Sequence, residues 1–203
     1  MFKKTYAAKK AYDDYEKMVQ DPDLDMVYIC TPNYLHAKHI QMALCYKKHV
    51  VCEKPMCISF QELEECFDLA KKQNCFLMEA HKTVFTPLNQ KVFEIITRGK
   101  IGQVKSIDAQ YATKLEKEIS DWHFTKDGAG CMFDIGVYPI CYANRMANSL
   151  ISRVVRLKDE ALIEYENGCV AHVATSWDVD MENTAHIYGT KGSIVCKNFW
   201  KNT

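Results

Sequence analysis

Three side chains stand where acid–base chemistry could occur, and Lys54 is the first of them. It follows the apolar run His49–Cys52, which predicts a buried strand, so its ammonium lies at a strand's carboxyl end. There it can hydrogen-bond a substrate hydroxyl or lower the pKa of a neighbouring acid. The alternative is a surface lysine paired with Glu53, and the spacing alone does not separate the two.

Asp134 and Tyr138 are the other two, and they lie four residues apart. If a helix begins at this point, residues with this spacing share one of its faces. Asp134 could instead be only the N-cap of that helix, because a carboxylate there accepts hydrogen bonds from the first free amides. Tyr138 could instead be only a core aromatic. The residue types alone leave these alternatives open.

The elements that position Lys54 form a βαβ pattern. Met26–Cys30 and His49–Cys52 are short apolar runs rich in β-formers, and the segment 34–46 between them has apolar residues at helical spacing. A strand, a helix and a strand in this order predict a parallel sheet. Ligands bind beyond the carboxyl ends of such strands. The polar clusters Thr31-Pro32-Asn33 and Glu53-Lys54-Pro55 both fall on that edge.

The alternation continues to Ala80. Ser59 and Glu62 form a capping-box pair at the start of a helix that ends near Asn74, and Cys75–Met78 predicts a third strand. Strand, helix, strand, helix, strand is the pattern of an open α/β sheet.

The second half is organised differently. A helix beginning at Pro87 precedes a strand at Val104–Ala112, and a second helix runs to about Asn148. The segments from Ala161 onward alternate like strands, with a hairpin turn at Asn167-Gly168.

The predicted fold class is therefore α/β, with two domains. A partial parallel sheet of the Rossmann-like type occupies residues 1–82. An α+β domain with a mainly antiparallel sheet occupies residues 83–203.

Charge and hydropathy exclude several classes of protein. Lys plus Arg and Asp plus Glu number 26 each, so the net charge is zero, which argues against nucleic acid or an anionic membrane as the main partner. No apolar run approaches the ~18 residues of a membrane span, and we see no signal peptide.

The ten cysteines are scattered and form no Cys-x-x-Cys motif. They predict reduced thiols in a cytoplasmic protein, with a disulfide framework or a zinc site as the alternatives. His36 and His39 have helical ligand spacing, but an obvious third ligand is lacking.

Three motifs, taken in order, resemble those of the Gfo/Idh/MocA oxidoreductases. They are Thr31-Pro32-Asn33-x-x-His36, then Lys48-His49-Val50-x-Cys52-Glu53-Lys54-Pro55, then Gly128-x-Gly130-x-x-x-Asp134-x-Gly136-x-Tyr138. The resemblance implies hydride transfer between NAD or NADP and a hydroxyl or carbonyl of a sugar, polyol or diol. It also implies that residues 1–82 form a partial dinucleotide-binding domain. Residues 83–203 would then bind substrate and form a homo-oligomer through the C-terminal sheet.

The resemblance implies a role for each matched residue. The catalytic lysine, aspartate and tyrosine of the family fall on Lys54, Asp134 and Tyr138. Its cofactor contacts fall on Thr31, Pro32, Asn33, His36, Glu53, Lys54 and Trp122.

The chemistry suits these roles. Oxidising an alcohol requires a base that takes the hydroxyl proton, and a free tyrosine, with a pKa of about 10, is a poor base at neutral pH. The Lys54 ammonium and a positively charged nicotinamide would both lower that pKa. Asp134 would accept a substrate hydroxyl and orient it.

The chain departs from the family pattern in four places. No glycine precedes Gly99, so this sequence has no G-x-G-x-x-G loop for a pyrophosphate. Lys47 replaces a helix-ending glycine, and a left-handed conformation there would cost up to about 1–2 kcal/mol. Ala129 interrupts a glycine triplet, and the stretch 149–160 predicts too little room for the family's usual strand and loop.

These departures lead us to expect an internal portion of a family member. The alternative function is a truncated or degenerate protein that binds ligand without catalysis. NAD is not separated from NADP, because the strand that carries the ribose-reading residue is not recognisable in this sequence.

Overall fold

The structure is a computed structural model that describes residues 2–115 and 130–201. It divides into two compact units, Met1–Ala80 and His81–Thr203, whereas the sequence places the domain boundary between residues 82 and 83. The predicted fold class is confirmed. The first unit is α/β with a parallel sheet, and the second is α+β with a mainly antiparallel sheet.

Across residues 2–80, three parallel strands form the first sheet. They are β1 (Met26–Ile29), β2 (His49–Cys52) and β3 (Leu77–Glu79), and they lie in the order β1-β2-β3. The register pairs Ile29 with Cys52 and Cys52 with Glu79. The three carboxyl ends therefore align at one edge of the sheet.

The helices of this unit are α1 (Phe2–Thr5), α2 (Tyr15–Val19), α3 (His36–Cys45) and α4 (Phe60–Gln73). A 3₁₀ turn at Asn33–Leu35 leads into α3. The predicted cap of α4 is present, because Ser59 Oγ accepts a hydrogen bond from the Glu62 amide at 3.2 Å. The fully buried core residues of the unit are Ile40, Leu44, Val50, Cys52 and Cys66.

The connection from α3 to β2 uses two lysines in unusual ways. Lys47 has φ +58°, so the left-handed conformation expected of the replaced glycine does fall on a lysine. Lys48 is buried, and its Nζ donates to Asp21 O at 2.8 Å and Leu24 O at 2.7 Å. The turn before β2 is therefore fastened to the segment before β1.

The helices of the second unit are α5 (Pro87–Thr97) and α6 (Val137–Ala147). A short 3₁₀ turn at Lys82–Val84 precedes α5, and a π-helical turn at Met132–Gly136 leads directly into α6. Pro87 occupies the first turn of α5, where a missing amide is tolerated.

Within residues 81–115 and 130–201, six strands form the second sheet in the order β5-β6-β7-β4-β8-β9. Neighbours are antiparallel except β4 and β7, which run parallel. The strands are β4 (Val104–Ala112), β5 (Ile151–Leu157), β6 (Glu160–Tyr165), β7 (Val170–Ser176), β8 (Thr184–Gly189) and β9 (Gly192–Lys197).

The expectation that the stretch 149–160 has too little room for the family's usual strand and loop is wrong as to the strand. β5 occupies Ile151–Leu157 and pairs with β6 through a tight turn in which Lys158 has φ +51°. All of its residues are exposed, as suits an edge strand, so it lacks the alternation by which buried strands are recognised.

The two faces of the second sheet differ. Ile107, Val173 and Ile187 pack with Tyr142 and Met146 of α6 in one apolar core. On the other face, the strand registers align one residue from each strand into a row that crosses the whole sheet. This outer row consists of Val155, Leu162, His172, Asp108, His186 and Val195.

The described part of the chain contains no helix long and apolar enough to cross a membrane. The ten cysteines, all within the described ranges, are thiols.

Candidate functional site

Two polar loops lie at the carboxyl edge of the first sheet, where the sequence predicts ligand binding. Sheet-like hydrogen bonds continue past the strands, from Glu53 N to Ile29 O at 2.8 Å and from Ala80 N to Cys52 O at 2.7 Å. The loops 31–33 and 53–55 therefore begin from a fixed edge. Lys54 is partly exposed there, and it is joined to Pro55 by a cis peptide bond.

His36 contacts the backbone of both loops. It is 1% exposed, its Nδ1 lies 2.9 Å from Pro55 O, and its Nε2 lies 2.7 Å from Thr31 O. The sequence predicts a cofactor contact for His36. The structure brings both ring nitrogens to backbone oxygens of the loops that carry the other predicted contacts.

Glu53 is held by a strand residue. Its Oε1 accepts a hydrogen bond of 2.5 Å from the Tyr28 hydroxyl, and its Oε2 lies 3.3 Å from the Lys54 amide. The hydrogen bond to Glu53, followed by burial, raises the pKa of Tyr28 to about 12. Tyr28 therefore stays protonated and remains a donor to the carboxylate at neutral pH.

Further contacts attach the edge to its surroundings. Thr31 Oγ1 lies 3.0 Å from His39 Nδ1, and the Met56 amide donates to Glu79 Oε1 at 2.9 Å. Burial, and then the charge of Lys38 and the proximity of His36, lower the pKa of His39. An apolar cavity of about 220 Å³ beside β1 is lined in part by Thr31 and His39.

In the second unit, Asp134 lies inside the π-helical turn Met132–Gly136. Its amide donates to Gly130 O at 3.1 Å, and the N-cap of α6 is Gly136. Asp134 is therefore not the N-cap of α6, and that alternative is wrong. Single π-helical turns often occur at functional sites, which favours a chemical role for a carboxylate placed in one.

A close approach to β7 explains the glycine at 136. A Cβ there would lie 2.6 Å from Met132 Sδ and 3.2 Å from Thr175 Cγ2. Thr175 also meets Cys131, with 3.2 Å between Oγ1 and Sγ, and donates to Tyr111 O at 2.8 Å. The turn that carries Asp134 is thus fixed against two strands.

The Tyr138 ring lies among polar and aromatic neighbours. The centroids of the His81 and Tyr111 rings are each 5.6 Å from its centroid, and both rings meet it edge-on. Lys82 Nζ lies 5.9 Å from the Tyr138 centroid. Tyr138 is only partly buried while it packs on the core, so core packing and a chemical role are compatible.

The residues around Tyr138 are missing from the sequence-based set of site residues. His81, Lys82 and Tyr111 belong to no motif, and Trp200 stacks on Tyr111 at 4.1 Å with 18° between the ring planes. They come together only through the fold, since Tyr111 and Trp200 are far apart in the chain. The one local signal is a His-Lys pair that begins three residues after the predicted strand Cys75–Met78.

The predicted site residues thus fall in both units. Lys54 belongs to the first unit, and Asp134 and Tyr138 belong to the second. Trp122, together with Gly128 and Ala129 of the third motif, lies outside the described residues. In residues 2–115 and 130–201, no group of three or more His, Cys, Asp or Glu is arranged to hold a metal ion.

Open parallel sheets bind ligands beyond their carboxyl edge, which is where the two polar loops of the first unit lie. Residues 1–81 match the model of an oxidoreductase family with an NAD-binding Rossmann fold. Residues 89–195 match the model of the GFO/IDH/MocA C-terminal domain. The chain belongs to the Gfo/Idh/MocA family of oxidoreductases.

Curated relatives share this family. The chain is 28% identical to trans-1,2-dihydrobenzene-1,2-diol dehydrogenase of Mus musculus, and the match covers 100% of this chain and 64% of the relative. It is 30% identical to D-xylose 1-dehydrogenase (NADP(+)) 2 of Haloferax volcanii over 91% of this chain and 60% of that protein. The chain thus spans less than two thirds of the length of these relatives.

Solved structures agree on the fold. A levoglucosan dehydrogenase in complex with NADH and levoglucosan is 27% identical, with a TM-score of 0.87 over 97% of this chain and 60% of that one. An aldose-aldose oxidoreductase from Caulobacter crescentus, 21% identical, has a TM-score of 0.88 over 98% of this chain and 65% of that one, and supports the fold alone.

Proposed function

We propose that this protein is an NAD(P)-dependent oxidoreductase that acts on a hydroxyl or carbonyl of a sugar, polyol or diol. One observation carries the proposal. Lys54 stands at the carboxyl end of β2, in the unit that matches an NAD-binding model. The relatives named above, which include a diol dehydrogenase and a xylose dehydrogenase, support this substrate class.

The first unit fits one end of a nicotinamide cofactor. Its carboxyl edge offers hydroxyl, amide, carboxylate and ammonium groups, which suit a ribose and a carboxamide. We assign the contacts to Thr31, Pro32, Asn33, Glu53 and Lys54, with His36 supporting the loops, and to Trp122. When bound, NAD or NADP supplies the hydride acceptor or donor.

The pyrophosphate end has no such fit in this sequence. With no glycine before Gly99, backbone amides cannot form a glycine-rich cradle in residues 1–98. We therefore assign the pyrophosphate to no residue. The alternative function is a binding protein without catalysis.

We assign the proton transfer to Tyr138 and its activation to Lys54. An ammonium favours the ionised phenol, so a lysine can bring a tyrosine into the range where it acts as a base. Asp134 accepts a hydrogen bond from a substrate hydroxyl and fixes the orientation of the reacting carbon. Its place in a turn fastened to β7 suits a positioning role.

We also propose that two copies associate through the outer row of the second sheet. Leu162 and Val195 are 50% and 54% exposed, and a cross-strand pair of opposite charge, Arg153 and Glu164, belongs to the same sheet. A patch that carries both charge signs can be complementary to itself about a two-fold axis.

The thiol state of the cysteines favours a reducing compartment, and we assign the protein to the cytoplasm.

The test is NAD(P)H formation with trans-diols, aldoses and levoglucosan. Two proteins are needed: the 203-residue chain, and a chimera that carries a G-x-G-x-x-G strand-and-helix segment from a relative ahead of Met1. We expect turnover by the chimera and its loss in the chimera with Lys54→Ala. A folded chimera that binds NAD without turning over any substrate would favour the non-catalytic alternative.

A further inference from the structure

His36 has an unusual pair of hydrogen-bond partners. Its Nδ1 lies 2.9 Å from Pro55 O and its Nε2 lies 2.7 Å from Thr31 O, and both partners are backbone carbonyl oxygens. A carbonyl oxygen can only accept a hydrogen bond. A neutral imidazole carries one N–H, so it can donate to one of these oxygens and must point a lone pair at the other.

Because both ring nitrogens face carbonyl oxygens, the geometry distinguishes a neutral His36 imidazole from a protonated one. An unprotonated ring nitrogen 2.7 or 2.9 Å from a carbonyl oxygen would bring two lone pairs together without a proton. Both distances are those of good N–H···O hydrogen bonds. The ring is 1% exposed, so a water molecule has no access through which to relieve that repulsion. Two donated bonds require the imidazolium form.

We propose that His36 is a doubly protonated clamp that fastens the Thr31 loop to the Pro55 loop. It is a positioning residue, because it holds the two loops at the carboxyl edge of the first sheet through their backbone carbonyls. The clamp joins segments that lie 24 residues apart in the chain, one ahead of α3 and the other directly after Lys54. It rests on this geometry and is independent of the proposed function.

Two carboxylates contact or belong to the loop that carries Pro55. Glu79 is on the Pro55 side, where its carboxylate accepts from the next amide, that of Met56. Glu53 is in the same loop, engaged by Tyr28. Charge-assisted bonds to the two carbonyl oxygens offset part of the cost of burying a cation.

The opposing groups lie mainly on α3 itself. Lys38 is exposed, and His39 packs edge-on against Tyr15 of α2 with 4.7 Å between ring centroids. From α4, Cys66 Sγ lies 3.9 Å from Ala37 O, which brings a thiol next to this turn of α3. The cationic neighbour Lys38 points to solvent, where its charge is screened.

The charge state is read directly by long-range ¹H–¹⁵N NMR of the uniformly ¹⁵N-labelled 203-residue chain. The seven histidines are separated by comparison with His36→Gln, which removes one set of ring signals. If both ring nitrogens donate to carbonyl oxygens, both should carry a proton in the folded chain at neutral pH. An unprotonated nitrogen at that pH overturns the proposal.

Two substitutions test the positioning separately. Asn at position 36 places an amide near Nδ1, so His36→Asn should keep the bond to Pro55 O and release the Thr31 side. Gln places its amide near Nε2, so His36→Gln should keep the Thr31 side and release Pro55. Amide hydrogen exchange should therefore rise in segment 30–35 of His36→Asn and in segment 53–58 of His36→Gln.

His39→Gln is the matched control, because His39 contacts Thr31 Oγ1 and should leave segment 53–58 at the wild-type rate. A positioning clamp predicts a side-specific change that general destabilisation does not produce. Equal loosening of both segments in both variants, no loosening in either, or the reversed pattern would each contradict the clamp. These readouts need no cofactor, so their failure is distinct from a failure of the proposed activity.

Discussion

His81 contacts the ring of Tyr138 and the backbone of the residue before it. The two rings lie edge-on with 77° between their planes, and His81 Nε2 lies 3.2 Å from Val137 O. One histidine at the start of the second unit thus contacts the ring and the backbone of the first turn of α6. These contacts orient the Tyr138 phenol, to which we assign the proton transfer. A general base must first have the right geometry, and only then does its pKa determine its efficiency.

Loss of either Lys54 or Tyr138 should reduce turnover strongly. In the chimera, Lys54→Ala and Tyr138→Phe should each lower kcat about 10²–10⁴-fold, the usual range for acid–base groups. Because both act on one proton, the double variant should lose much less than the product of the two losses. Steady-state rates of NAD(P)H formation measure this.

The matched controls change the same residue types elsewhere. Lys71→Ala removes an ammonium from the last turn of α4, and Tyr188→Phe removes a hydroxyl from a half-exposed ring on β8. Both should keep wild-type kcat. A near wild-type kcat in Tyr138→Phe would remove Tyr138 from the mechanism and leave Lys54 as the base.

Asp134→Asn should raise KM as well as lower kcat. A carboxylate that orients the substrate hydroxyl binds the ground state and the transition state alike, so its loss weakens both. The asparagine keeps the shape of the side chain in the π-helical turn. An unchanged KM with a reduced kcat would instead indicate a group that acts only in the transition state.

The 203-residue chain should bind NAD(H) and NADP(H) far more weakly than micromolar. The pyrophosphate would lack the amide donors and the helix N-terminus of a glycine-rich loop. Calorimetry on the chain and on the chimera measures the difference, and the chimera is the control. A dissociation constant below about 10 µM for the chain alone would contradict the prediction.

The spacing of apolar residues in the sequence predicts the helices and strands that bury one face in a core. The strand Val104–Ala112 is confirmed to the residue, because its alternation reports a sheet with one face in a core. The sequence did not predict β5, because every residue in it is exposed. An edge strand without a buried face shows no alternation of apolar and polar residues.

The candidate site was predictable only in part. The motifs placed Lys54, Asp134 and Tyr138, but His36 showed its two-sided contact only in three dimensions. The close approach of Gly136 to Thr175 was not predictable either, since the two residues are far apart in the chain. Contacts of this kind join segments whose separation in sequence hides them.

Leu162→Glu should dissociate a dimer formed through the outer row. A charge in place of one of the apolar side chains of this row, buried between two copies, costs desolvation energy that solvent exposure in the monomer avoids. Sedimentation equilibrium measures the association. Phe60→Glu is the control, because Phe60 is 72% exposed on α4 and should leave association unchanged. A wild-type chain that stays monomeric at high concentration would show that the row is not an interface.

His172 should make the second unit more stable at acidic pH. Its Nε2 lies 3.1 Å from Glu160 Oε2 and its Nδ1 lies 3.4 Å from Asp108 Oδ2, so one ring joins β6, β7 and β4. Burial alone would lower the pKa of His172, but the hydrogen bonds to Glu160 and Asp108 outweigh it and raise the pKa.

The direction of the pH effect follows from that raised pKa. The folded protein binds the proton more tightly than the unfolded chain, whose histidines have a pKa of about 6.5. The stabilisation is therefore fully present below that value and is lost as the pH rises through the higher pKa of the folded state. The groups are partly exposed, so solvent limits the effect to about 0.2–1 kcal/mol.

Urea unfolding of the wild type and of His172→Gln at about pH 5.5 and about pH 8.5 measures this difference. The loss of unfolding free energy caused by the substitution should be larger at the acidic pH. His186→Gln is the control, because His186 lies in the same outer row and its ring stacks on Tyr188 with 6.2 Å between centroids. An equal loss at both pH values for His172→Gln would mean that the protonated ring contributes nothing to the stability of the sheet.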